Sequence, residues 1–208
     1  MLTQSNHWLA AQELASIQMR YASTGRTLNE ATLCGAKEFV EWQHYPANDV
    51  VDEVSGYEFY YHAHSSSEMP HGEHGHFHVI KRKAEGFQHL VGIALDQKGL
   101  PVRLFTTNQW VTGEDMAEAL DVIKSIKGFE ITVMGRMAPI SKWITALIHL
   151  FIAEIENLVI ERDQKIDQLV AELGSRENVL NSRKHHVLTE CNINLLSRLS
   201  ENFLSVNS

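Results

Sequence analysis

Six of the chain's 12 histidines, His62, His64, His71, His74, His76 and His78, fall within one short window. They are interleaved with aromatic and aliphatic residues, as in YYHAH and EHGHFH, so the window is not a polar histidine tract. Side chains on a strand point to opposite faces with a period of two. His62 and His64 therefore share a face with Tyr60, and His74, His76 and His78 share one with Ile80. The alternate rows, Phe59, Tyr61 and Ala63 and then Phe77 and Val79, are apolar enough to face a core. If the two strands pair as a hairpin, opposed residues stand about 4.5–5.5 Å apart, and imidazoles from both strands converge. Partly protonated rings crowded together repel one another near neutral pH unless an anion or a metal holds them. Neutral imidazole is a ligand for zinc, copper, iron and nickel. The spacing thus predicts a transition-metal site (zinc, iron or copper) drawn from His62, His64, His74, His76 and His78. Glu68, Glu73, Asp49 and Asp52 are the carboxylates available to complete or buttress it. Two other readings stand beside it: a metal-free polar site for a small ligand, and a purely structural cluster of hydrogen-bonded rings.

Arg103 and Glu73 are the candidate catalytic residues. Arg103 alternates with Phe105 and Thr107, and a guanidinium in mid-strand needs an anion or a carboxylate. It could hold a small anionic substrate bidentately, or instead pair with Asp49, Asp52 or Glu114. His89 opens a further strand and could join the cluster. His149 lies among apolar residues and reads as a core histidine. His185 and His186 fall on opposite faces of a late strand that also carries Cys191.

These residues need a sheet to position them. Four strands are predicted: Tyr57 to His64, His74 to Arg82, Gln88 to Leu95 and Val102 to Asn108. They are joined by the loop Ser65 to Glu73 and by turns around Gly86 and Gly99. Four sequential strands with short links make an antiparallel meander over residues 55–108. Residues 1–45 read as helical, with Ser5 capping a first helix and Asn29 a second that runs through Trp42 to Pro46; His44 to Glu53 reads as a loop. Residues 113–174 are helical again, including one long helix from Ser141 to Leu173, with Glu130 to Val133 as a possible extra strand. Residues 184–204 give a strand and a short helix. The expectation is a single α+β domain over residues 1–208: an antiparallel sheet of four to six strands, N-terminal helices and one long helix in the C-terminal half.

Composition narrows the function classes. The chain has 208 residues, 44% of them hydrophobic, which suffices for one sizeable core. A net charge of −8, with no run of Lys or Arg beyond Lys81 to Lys83, argues against nucleic acid as a partner. Trp143 to Ile160 is interrupted by Glu154 and Glu156 and is too short to span a membrane. Two distant cysteines and no basic-then-apolar N-terminal segment place the protein in a reducing cytoplasm. There is no GxSxG, P-loop or dinucleotide fingerprint. The charged second half of the long helix, 155–174, is a possible surface for a homo-oligomer or protein partner.

Three resemblances attach to these residues. Gly56-x5-His62-x-His64-x3-Glu68-x6-Gly75 resembles the first motif of the cupins, which implies His62, His64 and Glu68 as metal ligands. The cupin second motif has no counterpart downstream, so the likeness bears on ligands rather than on fold. His74-Gly-His76-Phe-His78-Val-Ile80 is similar to the histidine-triad motif of nucleotide hydrolases and transferases, which implies His76 as a nucleophile. Gly75 stands where that motif has an apolar residue. Finally, HYPANDVVD, YYHAH, EHGHFH and RLFTTNQWVTGE together resemble a bacterial family of unknown function. The leading expectation is a metal-dependent hydrolase or oxygenase acting on a small anionic molecule. The alternatives are a non-catalytic metal-binding or assembly protein docking through its long helix, and a histidine-triad-like nucleotide hydrolase.

Overall fold

A computed structural model describes residues 4–65 and 68–204. Its centre is a six-stranded antiparallel sheet in sequential order: β1 (Tyr45–Asp52), β2 (Tyr57–His62), β3 (Glu73–Arg82), β4 (Phe87–Asp96), β5 (Pro101–Thr107) and β6 (Val187–Asn192). The four strands of the predicted meander are β2 to β5. The segment read as a loop before them is the edge strand β1, and the late strand is β6, which returns to pair with β5. The helices are α1 (Gln4–Ser23), α2 (Leu28–Thr32), α3 (Gln109–Thr112), α4 (Ala119–Lys127), α5 (Ala138–Leu150), α6 (Ile152–Leu173), α7 (Arg176–Leu180) and α8 (Leu195–Leu204). The fold is α+β, as the sequence predicts.

One face of the sheet is the core. Phe59, Tyr61, Phe77, Val79, Val91, Ile93 and Leu104 are buried there against apolar residues of α1, α5 and α6, with Trp143 among the largest. These are the apolar rows of the sequence pattern, and the period of two holds for them in mid-strand.

Several local expectations are corrected. Ser5 does not cap α1, because Gln4 is already helical. The second helix does not run to Trp42. It starts at Thr27, whose hydroxyl accepts from the Glu30 amide in a capping box, and stops after five residues. Asn29 is buried and donates instead to the Asp96 carbonyl, at 2.8 Å. Residues 33–44 are irregular, with Cys34 and Trp42 in the left-handed region. So only part of 1–45 is helical, and residues 1–3 lie outside the described residues. Ser66 and Ser67 of the predicted Ser65 to Glu73 loop lie outside them as well. Glu130 to Val133 forms no strand; the Thr132 amide donates to Asp52 Oδ2, at 3.0 Å.

The predicted long helix is two helices, α5 and α6, bent by 73° at Phe151. The bend carries α6 across β5 and β6. Its apolar stripe, Ile155, Leu158, Val159, Ile166 and Leu169, is buried against the chain's own core, the lower part against Val179 of α7 and Leu188 of β6. The stripe of 155–174 is therefore covered without a partner. Among the described residues no single helix is long and apolar enough to cross a membrane.

Candidate metal centre

The other face of the sheet carries the histidines. In the β2–β3 ladder His62 lies opposite His76 and Tyr60 opposite His78. His62 Nε2 and His76 Nε2 are 2.8 Å apart. One potential ligand nitrogen from each of His62, His76 and His78 lies within 4.8 Å of the other two. For ligands at about 2.0–2.1 Å from a tetrahedral ion, neighbouring nitrogens are separated by about 3.3 Å. At 2.8 Å the His62 and His76 nitrogens lie inside that spacing, so an ion would have to part these two rings. His76 and His78 are buried and His62 nearly so. Burial, helped by the charges of neighbouring histidines, lowers the pKa of all three, that of His62 to about 3. The rings are thus neutral near pH 7, the form that binds metals.

Hydrogen bonds alone do not satisfy this cluster. His76 Nδ1 is buried and has no partner. When His76 donates to His62 through Nε2, its Nδ1 is a bare, buried lone pair, which is the electronic requirement of a ligand. His78 is held differently. Its Nδ1 is 2.9 Å from His89 Nε2, and His89 Nδ1 is 3.3 Å from Thr107 Oγ1. This leaves His78 Nε2 free to turn toward His62 and His76.

Two β-bulges decide which residues reach this face. In the β3–β4 ladder Val79 opposes Val91 while Ile80 opposes His89, so Leu90 is an extra residue. The extra residue reverses the alternation and brings His89 out beside His78. Nearer the start of β3, Glu73 opposes Asp96 and Gly75 opposes Leu95, so His74 is extra. That bulge puts Glu73 on the histidine face and removes His74 from it. His74 Nδ1 pairs with the Tyr61 hydroxyl, at 2.7 Å, and its ring packs against Phe39. The expectation that His74 shares a face with His76 and His78 is corrected, and with it the histidine-triad likeness, which needs all three together. Gly75 permits the crossing: a Cβ there would lie 2.6 Å from the Tyr61 hydroxyl oxygen.

His64 lies just past the end of β2, with its ring centroid 5.0 Å from that of His62 and 5.2 Å from that of His76. It borders the triad and stacks on Trp42 at 4.1 Å. Trp42 is brought there by its amide, which donates to the Ala63 carbonyl. Glu68, which the cupin likeness implies as a ligand, is exposed and accepts from Ser65 Oγ at 2.8 Å. The open sheet is also not a cupin barrel. His71 is exposed, and Asp49 accepts from His44, whose ring stacks on Tyr60 at 3.8 Å. His44 was not legible as a site residue, because it precedes the strand in an irregular segment. Asp52 caps the turn after β1 and is remote from the histidines in its contacts.

Arg103 is fully engaged. Its Nε and Nη2 donate to the two oxygens of Glu73 at 2.6 and 2.9 Å, and its Nη1 donates to Glu190 at 2.7 Å. Its guanidinium also lies over the Phe105 ring. Burial works against the charge, but Glu73 and then Glu190 hold the Arg103 pKa above its ordinary value. The ion-pair expectation for Arg103 is met, with partners other than Asp49, Asp52 or Glu114. Glu190 was missed because it lies on β6, far away in sequence. The Arg103–Glu73 pair forms one wall of a cavity of about 380 Å³, which also meets His64, His76, His78, Phe105 and Thr107. Phe105 meets His76 edge to face, and its ring can lie over position 92 because that residue is glycine; a Cβ there would sit 2.2 Å from the ring. Cys191 is half-buried on β6 among core residues, and burial raises its pKa. His149 donates to the Phe129 carbonyl at 2.8 Å, away from the site.

Three buried, neutral imidazoles beside an open cavity define a candidate metal-binding α+β domain. The chain belongs to the family described as a domain of unknown function (DUF6969), whose model matches residues 8–193. No curated protein and no solved structure matches it.

Proposed function

We propose that the protein is a metal-dependent enzyme that binds one first-row transition ion through His62, His76 and His78 and acts on a small molecule in the adjoining cavity. The observation that carries this reading is the triad itself: three convergent ligand nitrogens, buried and neutral, at the edge of a space large enough for a ligand. Three protein ligands with a side open to a cavity suit a catalytic ion rather than a structural one, whose shell is closed. An all-imidazole set suits zinc, copper or iron. When bound, such an ion supplies Lewis acidity and an activated water. The chain's own residues do the rest. His89 orients His78, as the outer partners of metal-ligating histidines do. Phe105 provides an apolar floor, and the Arg103–Glu73–Glu190 network fixes one wall. Glu73 lines the cavity with both oxygens held by Arg103, so it serves as a fixed negative charge or base rather than as an acid, and His64 can move a proton between the site and the cavity mouth. Since Arg103 is already paired with two carboxylates, it organises the wall rather than clamping an anionic substrate.

The test is metal content. Protein purified without a histidine tag or chelator should carry a first-row metal near one equivalent, read by mass spectrometry. After stripping, titration with zinc, copper or iron should restore it and raise the melting temperature. A protein that carries no metal and takes none up would overturn the reading.

A further inference from the structure

A second cavity, of about 620 Å³, lies on α1, the segment after α2 and the start of α5. It shares no lining residue with the histidine cavity. Three arginines line it: Arg20, Arg26 and Arg136. No Asp or Glu is among its lining residues, and none of the three makes an ion pair among the described residues. This runs against the composition. The chain has 26 acidic and 18 basic residues, yet these three exposed arginines share a space with no carboxylate on its lining.

Arg136 is positioned rather than loose. Its Nη1 points to the Cys34 carbonyl, at 3.4 Å, and lies so close over Gly35 that a Cβ there would be 2.9 Å away. Gly35 has φ +95, a left-handed backbone conformation that favours glycine. Tyr21 lines the same cavity near Arg20 and Arg26, and its hydroxyl has no hydrogen-bond partner among the described residues.

We infer that this cavity is a binding site for a phosphate-bearing small molecule with more than one negative charge. Guanidinium groups pair bidentately with phosphate oxygens, and three unpaired ones around a single space repel one another until an anion enters. The Tyr21 hydroxyl adds an uncharged donor. The volume lies within the range of small-molecule sites. The inference stands independently of the metal site.

Calorimetric titration with inorganic pyrophosphate tests it, using the full chain stripped of metal so that no ion at the histidines can bind the probe. Saturable binding is expected. Arg26→Gln and Arg136→Gln should each weaken it by about tenfold, while Arg176→Gln, a change at an exposed arginine of α7, should leave it unchanged. The variants alter exposed side chains, so unchanged melting curves will establish that each is folded. No saturable binding, equal affinity in all three variants, or citrate bound more tightly than pyrophosphate would overturn the assignment.

Discussion

The two faces of one sheet are built by different rules. On the core face, side chains of β2, β3 and β4 alternate with a period of two, and helices seal them from water. Phe77 sits there with Val79, fully buried, one residue away from His76 and His78 on the opposite face. The histidine face is polar, is buried nearly as deeply, and is not fully satisfied by its own hydrogen bonds. Burial stabilises the first face directly. On the second, burial keeps imidazoles neutral and leaves them short of partners, a cost that a bound metal would offset. Core packing and the proposed metal site thus divide across a single strand, β3.

The sharpest way to break that comparison is a pair of substitutions in β3. Phe77→Ala should cost about 3–5 kcal/mol in stability, because it opens a cavity in a sealed core. It should leave metal affinity intact in whatever fraction stays folded. His76→Ala should do the reverse: the melting temperature of metal-free protein changes little, while metal affinity falls by more than the roughly 10–100-fold typical of losing an outer partner. Chemical denaturation beside calorimetric metal titration reads both. If His76→Ala destabilises the metal-free protein as much as Phe77→Ala does, the histidine face is a second core and not a site.

The core face was legible in the sequence because nothing interrupts its period in mid-strand. The central meander, the apolar rows and the convergence of His62 with His76 follow from alternation and hairpin pairing alone. What escaped has a local physical cause. Alternation predicts side-chain direction only until a residue is inserted, and neither His74 nor Leu90 announces itself as a bulge residue. A strict period therefore put His74 in the site; Glu73 and His89 were candidates by residue type, and it is the two bulges that bring them to the histidine face. The straight helix from Ser141 to Leu173 failed for the opposite reason: Phe151 fits the apolar pattern on both sides of the bend, so the stripe reads as continuous. Glu190 and His44 reach the site through tertiary pairing, which no local pattern encodes.

His89 sharpens the comparison, since it touches no proposed ligand atom. It reaches His78 through the far nitrogen of that ring, at 2.9 Å. If it fixes the His78 tautomer, His89→Phe should lower metal affinity by about 10–100-fold, with His89→Gln recovering part of the loss. Nitrogen NMR of the imidazoles should show His78 changing its protonated nitrogen in the Phe variant. An unchanged tautomer with unchanged affinity would reduce His89 to packing.

The smallest expected effects concern two carboxylates with opposite signs, one behind the histidine face and one at the core-side edge. Glu114 is buried, with Oε2 accepting from the His89 amide at 2.7 Å. Burial pushes its pKa up to about 7, against the pull of that hydrogen bond and of Arg162. A raised carboxyl pKa means that the folded state holds its proton more tightly than the unfolded state does. Glu114 therefore lowers stability progressively as pH rises from its ordinary value of 4.5 through about 7. Asp52 is the converse. The Thr132 amide, followed by groups of Ser55 and Val54, outweighs desolvation and lowers its pKa to about 2. Its stabilising contribution is complete above its ordinary value of 3.8 and is lost as pH falls through about 2. Glu114→Gln should therefore raise stability above pH 7, by about 1–3 kcal/mol, and change little near pH 4. Asp52→Asn should lower stability at neutral pH and converge on the parent protein below about pH 2. Denaturation midpoints of the metal-free proteins between pH 2 and 8 would separate the two curves. If the Glu114→Gln curve instead ran parallel to the parent curve at every pH, the carboxyl would be ionised throughout. The interior behind His89 would then be wetter than its burial implies.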